Sequence, residues 1–532
     1  MASLRTSVII VSLLLSMFLT ALDLTIISTA VPRITREFES LNDVGWYGSA
    51  FFLTVCVFQT IWGKLYKYCS VKYTFLCAII VFELGTLGCA VANSSAGFIA
   101  GRAVAGCGGA GIIAGTYIIL AHVVPPNQVP MFYGLNGIIF TLASVIGPLV
   151  GGAFTSDVTW RWCFYINLPL GGATAVAVFL ALQLPQSVRH QPALPVRELL
   201  LKLDIPGCVL VTASLVCYLL ALEWGGITKL WSSSQIIGLL VGWIVLFLAF
   251  ALVEWFQGDE ALVASRLLRN RGVLACCVFA FLLNSANYIR LYYLPIYFQA
   301  IDDALPVRSG VLLLAYIVPT SVITMLAGAF LSKIGYYQPF LLAGAVTVTI
   351  GSGLLWTLDI DAPSAKQIGY QILAGAGDGF CIQVPVTAVQ AFVDQQDIAT
   401  VTALVLFFQL GSGVLGVSAG ESIATNRLIE SLERYAPGVS ASAVLDAGAS
   451  ELQETFAAEE VRGIQRAYMV GIKDAWLLTL GLCGAAVLVA CLAPPVSILG
   501  KTGVREVETE LGSEGSGEGK DVVEEVEEKG GK

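Results

Sequence analysis

Leu22-Asp23-Leu24-Thr25-Ile26-Ile27-Ser28-Thr29-Ala30-Val31-Pro32 is the stretch whose reading decides the fold. It closes an apolar run that begins near Ser7, so Asp23 falls inside a segment long enough to cross a bilayer. A carboxylate at that depth is costly unless it is paired, protonated or wetted by a cavity. The run is too long for the apolar core of a cleaved signal and lacks a small-x-small cleavage pattern, so it reads as a retained first membrane helix. Later apolar runs offer Arg102, Arg290 and Asp378 as counterparts. The chain reads as a transporter built around these few buried charges.

The rest of the sequence agrees with a membrane setting. Of 532 residues, 56% are hydrophobic and only 13% charged, with a mean hydropathy of +0.79. Soluble chains carry about a quarter charged residues. Apolar runs of spanning length centre on 7–30, 44–65, 73–92, 96–120, 132–154, 162–183, 204–223, 236–256, 273–299, 309–332, 338–358, 367–388, 399–425 and 475–495. Fourteen spans put both termini on one side. With the N-terminus in the cytosol, the short inner loops hold Lys64, Lys67, Lys72, Arg189, Arg197, Lys202, Arg266, Arg269, Arg271 and Lys333. The short outer loops hold Arg33, Arg36, Arg161, Lys229, Arg308 and Lys366. Ten against six favours that orientation under the positive-inside rule.

The net charge of -9 comes largely from the acidic C-terminus and says little about partners. No basic block or basic-aromatic interleaving points to nucleic acid. The 13 cysteines are scattered through apolar runs and the two histidines, His122 and His190, lie far apart, so no metal site is expected. Neither a Walker loop nor a nucleotide-binding domain is evident, so ATP is not the expected energy source. Residues 426–474 read as a polar outer loop with a short amphipathic helix around Glu451–Arg466, and 500–532 as a disordered acidic cytoplasmic tail. The single sequon, Asn93-Ser94-Ser95, falls in a tight outer turn too close to the membrane to carry a glycan.

Internal symmetry is visible in two small-residue spans. One holds Gly101, Gly106, Gly108, Gly109, Gly111 and Gly115; the other holds Gly375, Gly377 and Gly379. Each is the fourth helix of a set of six if spans 204–223 and 236–256 are an insert. The expected division is a six-helix half over 1–190, a linker with two extra helices over 191–265 and a second half over 266–499. Parallel halves of this kind place the substrate site between them.

Several motifs carry a family resemblance. Gly63-Lys64-Leu65-Tyr66-Lys67-Tyr68-Cys69-Ser70-Val71-Lys72 resembles the inner-loop signature of the major facilitator superfamily, matching at Gly63, Leu65 and Lys72. The signature's acidic position is Lys67 here and its second glycine is Ser70. Arg102 and the glycines after it resemble the family's fourth-helix motif, in which the Arg is tied to proton transfer. Gly134, Gly147-Pro148 and Gly151-Gly152 resemble the signature of drug:proton antiporters, with Ala143 in place of the middle glycine. Trp160-Arg161-Trp162, Leu203-Asp204-Ile205-Pro206-Gly207, Ala221-Leu222-Glu223-Trp224-Gly225-Gly226 and Tyr292-Tyr293-Leu294-Pro295 are similar to segments of the fungal fourteen-helix branch.

The resemblance implies an all-α major facilitator fold, two six-helix halves plus two inserted helices, working without a cofactor on a proton gradient. It implies export of a hydrophobic or amphipathic toxin, secondary metabolite or drug across the plasma membrane, with the vacuolar membrane as the alternative. Asp23 and Arg102 would couple protons. Arg290 and Asp378 would face the same cavity from the other half, unless Arg290 snorkels or bonds carbonyls. Tyr292, Tyr293, Gln299, Gln383 and Gln409 would line the substrate path, and Glu83 or Glu421 would be a second proton site or a structural acid. An importer on the same fold, or a membrane enzyme or receptor, are the rival readings; two distant histidines speak against an enzyme.

Overall fold

The computed structural model describes residues 2–40, 43–125, 127–182, 195–449 and 451–497. The expected tail at 500–532, Arg189 and His190 lie outside these. Fourteen helices among the described residues are long and apolar enough to span a membrane. They are α1 (Ala2–Phe38), α2 (Val44–Tyr68), α3 (Val71–Ala90), α4 (Ser95–Val123), α5 (Val129–Ala153), α6 (Trp162–Ala181) and α7 (Ile205–Trp224). They continue as α8 (Ser234–Gln257), α9 (Arg271–Ala300), α10 (Pro306–Ile334), α11 (Gln338–Trp356), α12 (Ser364–Cys381), α13 (Ile398–Tyr435) and α14 (Ala458–Leu492). A short helix, Val384–Ala391, prolongs α12 after a turn at Ile382–Gln383. The face where α1 begins and α14 ends is called the terminal face below, and the other the distal face.

The packing repeats. In the first six helices α1 packs on α5 and α6, α4 on α2 and α3, and α3 on α6. The same pattern recurs when α9 stands for α1 and each later helix follows in turn, through α14 for α6. The halves meet where α5 lies on α10 and α2 on α13, which are symmetry-related pairs. The α7–α8 pair packs on itself and leans on α2 and α13 through α7. Close approach needs small residues: a methyl on Gly108 would strike the backbone of Phe82, and one on Gly377 that of Val348. These contacts seat α4 on α3 and α12 on α11.

Three elements differ from expectation. Helix α1 has 37 residues, about 55 Å at 1.5 Å per residue, so it outruns a hydrocarbon core of about 30 Å. Its end carries the exposed Arg33, Arg36 and Glu37. The expected inner loop after α2 is mostly helix, because Trp62 and Tyr66 are buried and carry the helix on to Tyr68. The expected polar loop 426–474 is a helical hairpin: α13 runs to Tyr435, α14 starts at Ala458, and Ala441–Ala447 and Leu452–Thr455 form the tip. No separate amphipathic helix spans 451–466. Leu428, Leu432, Val444, Leu452 and Ile464 bury one face of the hairpin while charges cover the other, a pattern that hydropathy averages out.

Candidate functional site

Asp23 and Arg102 form an ion pair, Nη1 to Oδ2 at 2.5 Å, with both side chains wholly buried near the distal face. Arg102 is held in place by more than this bond. Its Nε donates to the Tyr47 carbonyl at 2.9 Å, and the Phe51 ring lies 4.6 Å beneath the guanidinium. Asn167 of α6 donates to the second Asp23 oxygen at 3.4 Å. Beside this group, both Glu83 oxygens are buried without a hydrogen-bond partner among the described residues, and Glu83 presses on Gly171.

Arg290 and Asp378 form the second pair, Nη2 to Oδ2 at 2.6 Å, also wholly buried and closer to mid-depth. Arg290 Nη1 donates to Ser352 Oγ at 3.0 Å, and its Nε to the Tyr316 hydroxyl at 3.3 Å. That hydroxyl also bonds Asp378 and lies 2.6 Å from Asn287 Oδ1. By the repeat, α9 and α12 are the counterparts of α1 and α4. The two pairs therefore occupy equivalent helices with their signs exchanged.

Between the halves lies a central cavity of about 130 Å³. Met17 and Phe140 give it an apolar wall, and Tyr117, Asn136, Tyr288 and Asn287 its polar groups. Gln383 and Gln409 line it as expected from sequence. The expected contribution of Tyr292, Tyr293 and Gln299 is corrected. The face of α9 turned to the cavity carries Asn284, Asn287, Tyr288 and Leu291, one helical stripe. Tyr293 points the other way, bonding the Gly420 carbonyl at 3.4 Å, and Tyr292 is exposed. Gln299 lies about two turns beyond Leu291 and bonds Ser309 at 3.3 Å. The two ion pairs do not line the cavity either: Tyr316 and Asn287 stand between it and Arg290–Asp378. The signal that would have found Asn136, Asn284 and Asn287 was present, since amides inside apolar runs obey the same rule as Asp23.

Among the described residues, direct hydrogen bonds between the halves lie at mid-depth or toward the terminal face. Tyr117 bonds Gln383 at 3.2 Å, and Gln390 donates to Tyr133 at 2.7 Å. Lys67 bridges to Asp397 at 2.8 Å, and Arg266 reaches the other Asp397 oxygen at 2.7 Å. Lys64 donates instead to the linker, at the Glu260 carbonyl, at 2.5 Å. The basic residue at the signature's acidic position thus finds its acid on the opposite half. Lys72 instead bonds the Phe179 carbonyl at 2.5 Å, Leu65 is half-buried, and Gly63 lets α2 approach Ala403.

Helix α5 passes through Pro148 without a break in its helical run. The glycines around it have separate tasks. Gly134 faces the Thr324 carbonyl of α10 across the halves, Gly147 and Gly151 admit Thr25 and Thr29 of α1, and a methyl on Gly152 would meet nothing. Asn93 is exposed in the turn before α4, but Ser95 of its sequon is engaged by Asp43 and Tyr47. Trp160 is buried among Phe38, Phe98 and Phe164.

Residues 13–417 match the Major Facilitator Superfamily. The chain belongs to the major facilitator superfamily. Among its relatives are the MFS-type transporter grgE of a Penicillium species, 41% identical over 93% of this chain and 87% of its own length, and the efflux pump notK of an Aspergillus strain, 42% identical over 92% and 87%. The dehydrocurvularin exporter of Alternaria cinerariae is 40% identical over 93% of this chain and 85% of its own. Solved structures share the fold. The proton:xylose symporter XylE superposes with a TM-score of 0.58 at 14% identity, covering 94% of this chain and 98% of that one. The human organic anion transporter MFSD10 gives 0.54 at 13%, covering 90% and 99%. This major facilitator protein is a multi-pass membrane transporter and not an enzyme.

Proposed function

We propose that the chain is a proton-coupled efflux pump that exports a hydrophobic or amphipathic small molecule. The export direction is supported by relatives named pump and exporter across nearly the whole chain, and by the Gly147-Pro148 motif. The observation that carries the coupling is the Asp23–Arg102 pair, wholly buried, with Asn167 bonded to it and the unpartnered Glu83 oxygens alongside. A carboxylate held in this way keeps its charge only while Arg102 faces it; taking up a proton from the distal side weakens the pair.

In this reading both termini and the terminal face are cytosolic, in the plasma membrane, as the excess of basic residues in the inner loops supports. The halves are 1–190 and 266–499, joined by the two-helix linker. The conformation described here is then closed to the cytosol by Tyr117–Gln383, Gln390–Tyr133 and the Lys67–Asp397–Arg266 bridge. Substrate loads when these contacts part and leaves when they re-form. Coupling requires that substrate and proton favour different states. The proton gradient, not ATP, drives the cycle.

The test is proton-dependent efflux of a hydrophobic fluorescent dye from vesicles, wild type against Asp23→Asn. Wild-type movement driven by the gradient and its loss in the variant are expected. Unchanged pumping with the same pH dependence in Asp23→Asn would move the coupling role to Asp378 or Glu83.

A further inference from the structure

We infer that the central cavity selects an uncharged ligand that carries at least one hydroxyl or N–H donor together with a carbonyl oxygen, and rejects permanent cations and anions. This deepens the efflux reading, on which it rests for taking the cavity as the substrate site.

The first ground is the lining itself. None of the side chains that line the cavity among the described residues is formally charged. The nearest charges, Arg290 and Asp378, are wholly buried and spent on each other behind Tyr316 and Asn287. A charged ligand entering here would shed water and meet no counter-charge, which is costly in a low-dielectric site. A neutral ligand carries no such penalty.

The second ground is which hydrogen-bonding groups are free. The cavity hydroxyls have largely committed their protons: Ser144 to the Phe140 carbonyl at 3.0 Å, Thr320 to Tyr316 at 2.8 Å, Thr324 to Thr320 at 2.7 Å. They retain lone pairs only. Asn136 is different, because it is wholly buried and neither its Nδ2 nor its Oδ1 has a partner among the described residues. Gln409 spends its amino group on Asn284 Oδ1 at 3.3 Å and leaves Oε1 unpartnered. The site thus sets the unpartnered oxygens of Asn136 and Gln409 beside donors on Asn136 and on other lining side chains such as Tyr288 and Gln383. Orphaned buried amides of this kind are costly until a ligand satisfies them, and they discriminate against analogues that lack the matching group. A ligand with a donor and a carbonyl satisfies them, with its apolar remainder against Met17 and Phe140.

The test uses the purified full-length chain and three forms of one boron-dipyrromethene dye, bearing a hydroxyl, a trimethylammonium or a sulfonate on the same arm. Binding is read by fluorescence anisotropy. The hydroxyl dye is expected to bind about tenfold or more tighter than either charged form, since it satisfies a buried amide and buries no charge. Asn136→Leu and Gln409→Leu should each weaken the hydroxyl dye about tenfold, and Gln409→Glu should raise affinity for the trimethylammonium dye. Should a variant fold poorly, methylating the dye's hydroxyl makes the same point on wild-type protein, where binding should weaken. Equal binding of the trimethylammonium dye, through the faces of Tyr117 and Tyr288, would overturn the inference. So would no binding of the hydroxyl dye to monodisperse wild type. Selective binding without efflux in vesicles sinks the pump reading alone and leaves the selectivity intact.

Discussion

At the scale of single residues, the two buried pairs show how a membrane protein keeps full charges without water. Arg102 splits its donors between Asp23 and the Tyr47 carbonyl, a geometry that a lysine's single ammonium does not reproduce. Removing one partner strands the other at a cost of about 3–5 kcal/mol, whereas replacing both by apolar side chains of similar volume is often neutral. Asp23→Leu with Arg102→Met is therefore expected to keep a wild-type melting temperature, measured by thermal unfolding in detergent, while Arg102→Met alone lowers it. The double variant should also lose gradient-driven efflux. A second residue-scale prediction concerns Glu37, beyond the apolar segment Arg5–Ile27. Burial raises its carboxyl, but Trp160 at 2.6 Å and Arg161 at 2.8 Å outweigh this and hold it below the usual glutamate range. Its contribution is then full above about pH 4.3, the unperturbed value, and is lost as pH falls through the lowered one. The melting-temperature gap between wild type and Glu37→Gln should be constant near neutrality and close on acidification; a gap that widens in acid would contradict the sign. Which residues face the cavity was only partly legible. Gln383 and Gln409 were found, but Tyr293 was not excluded, because the sequence shows that a span is polar at a position and not which way its helix is turned.

At the scale of elements, every span was legible, because apolar runs of about twenty residues leave little choice in a bilayer. Their ends were not. The extensions of α1, α13 and α14 are amphipathic, and a hydropathy window tuned to lipid passes over helix that buries one stripe against protein. The antiporter motif shows the same limit at closer range. Its glycines look alike in sequence, yet Gly151 sits against Thr29 and Ile26 of α1 while Gly152 faces open space. Gly151→Ala is expected to cost about 1–3 kcal/mol by forcing α1 and α5 apart, and Gly152→Ala to be silent. Thermal unfolding of the two variants side by side checks this, and equal behaviour would remove the packing account of the motif.

At the scale of the whole molecule, the terminal-face contacts tie together the two halves of the repeat, and the proposed cycle uses them as a gate. Lys67 and Asp397 come from opposite halves, so their bond exists only while that face is shut. Lys67→Glu sets like charges together and is expected to slow transport by disfavouring the closed arrangement. Combining it with Asp397→Lys restores this attraction with its polarity reversed, while setting the new cation against Arg266. Efflux rates of the two single variants and the double form a cycle; simple additivity would argue that the bridge is incidental. The partner of Lys67 could not be read from sequence, since it lies 330 positions away and the pairing reverses the polarity of the signature it resembles.

The hairpin of α13 and α14 has a further consequence. Arg427 is tied to Asp474 across it, and Arg462 to Asp361 in the turn before α12. It is therefore braced to the second half and must swing with it. Tyr435 stands 26 residues along α13 from Gln409 at the cavity, about 39 Å at 1.5 Å per residue. A tilt of the half by about 10° would carry the tip through roughly 7 Å by that lever arm. A pointer of this length, at the distal end of the second half, offers a natural place for a spin label or a bound antibody fragment to read each stroke of the cycle.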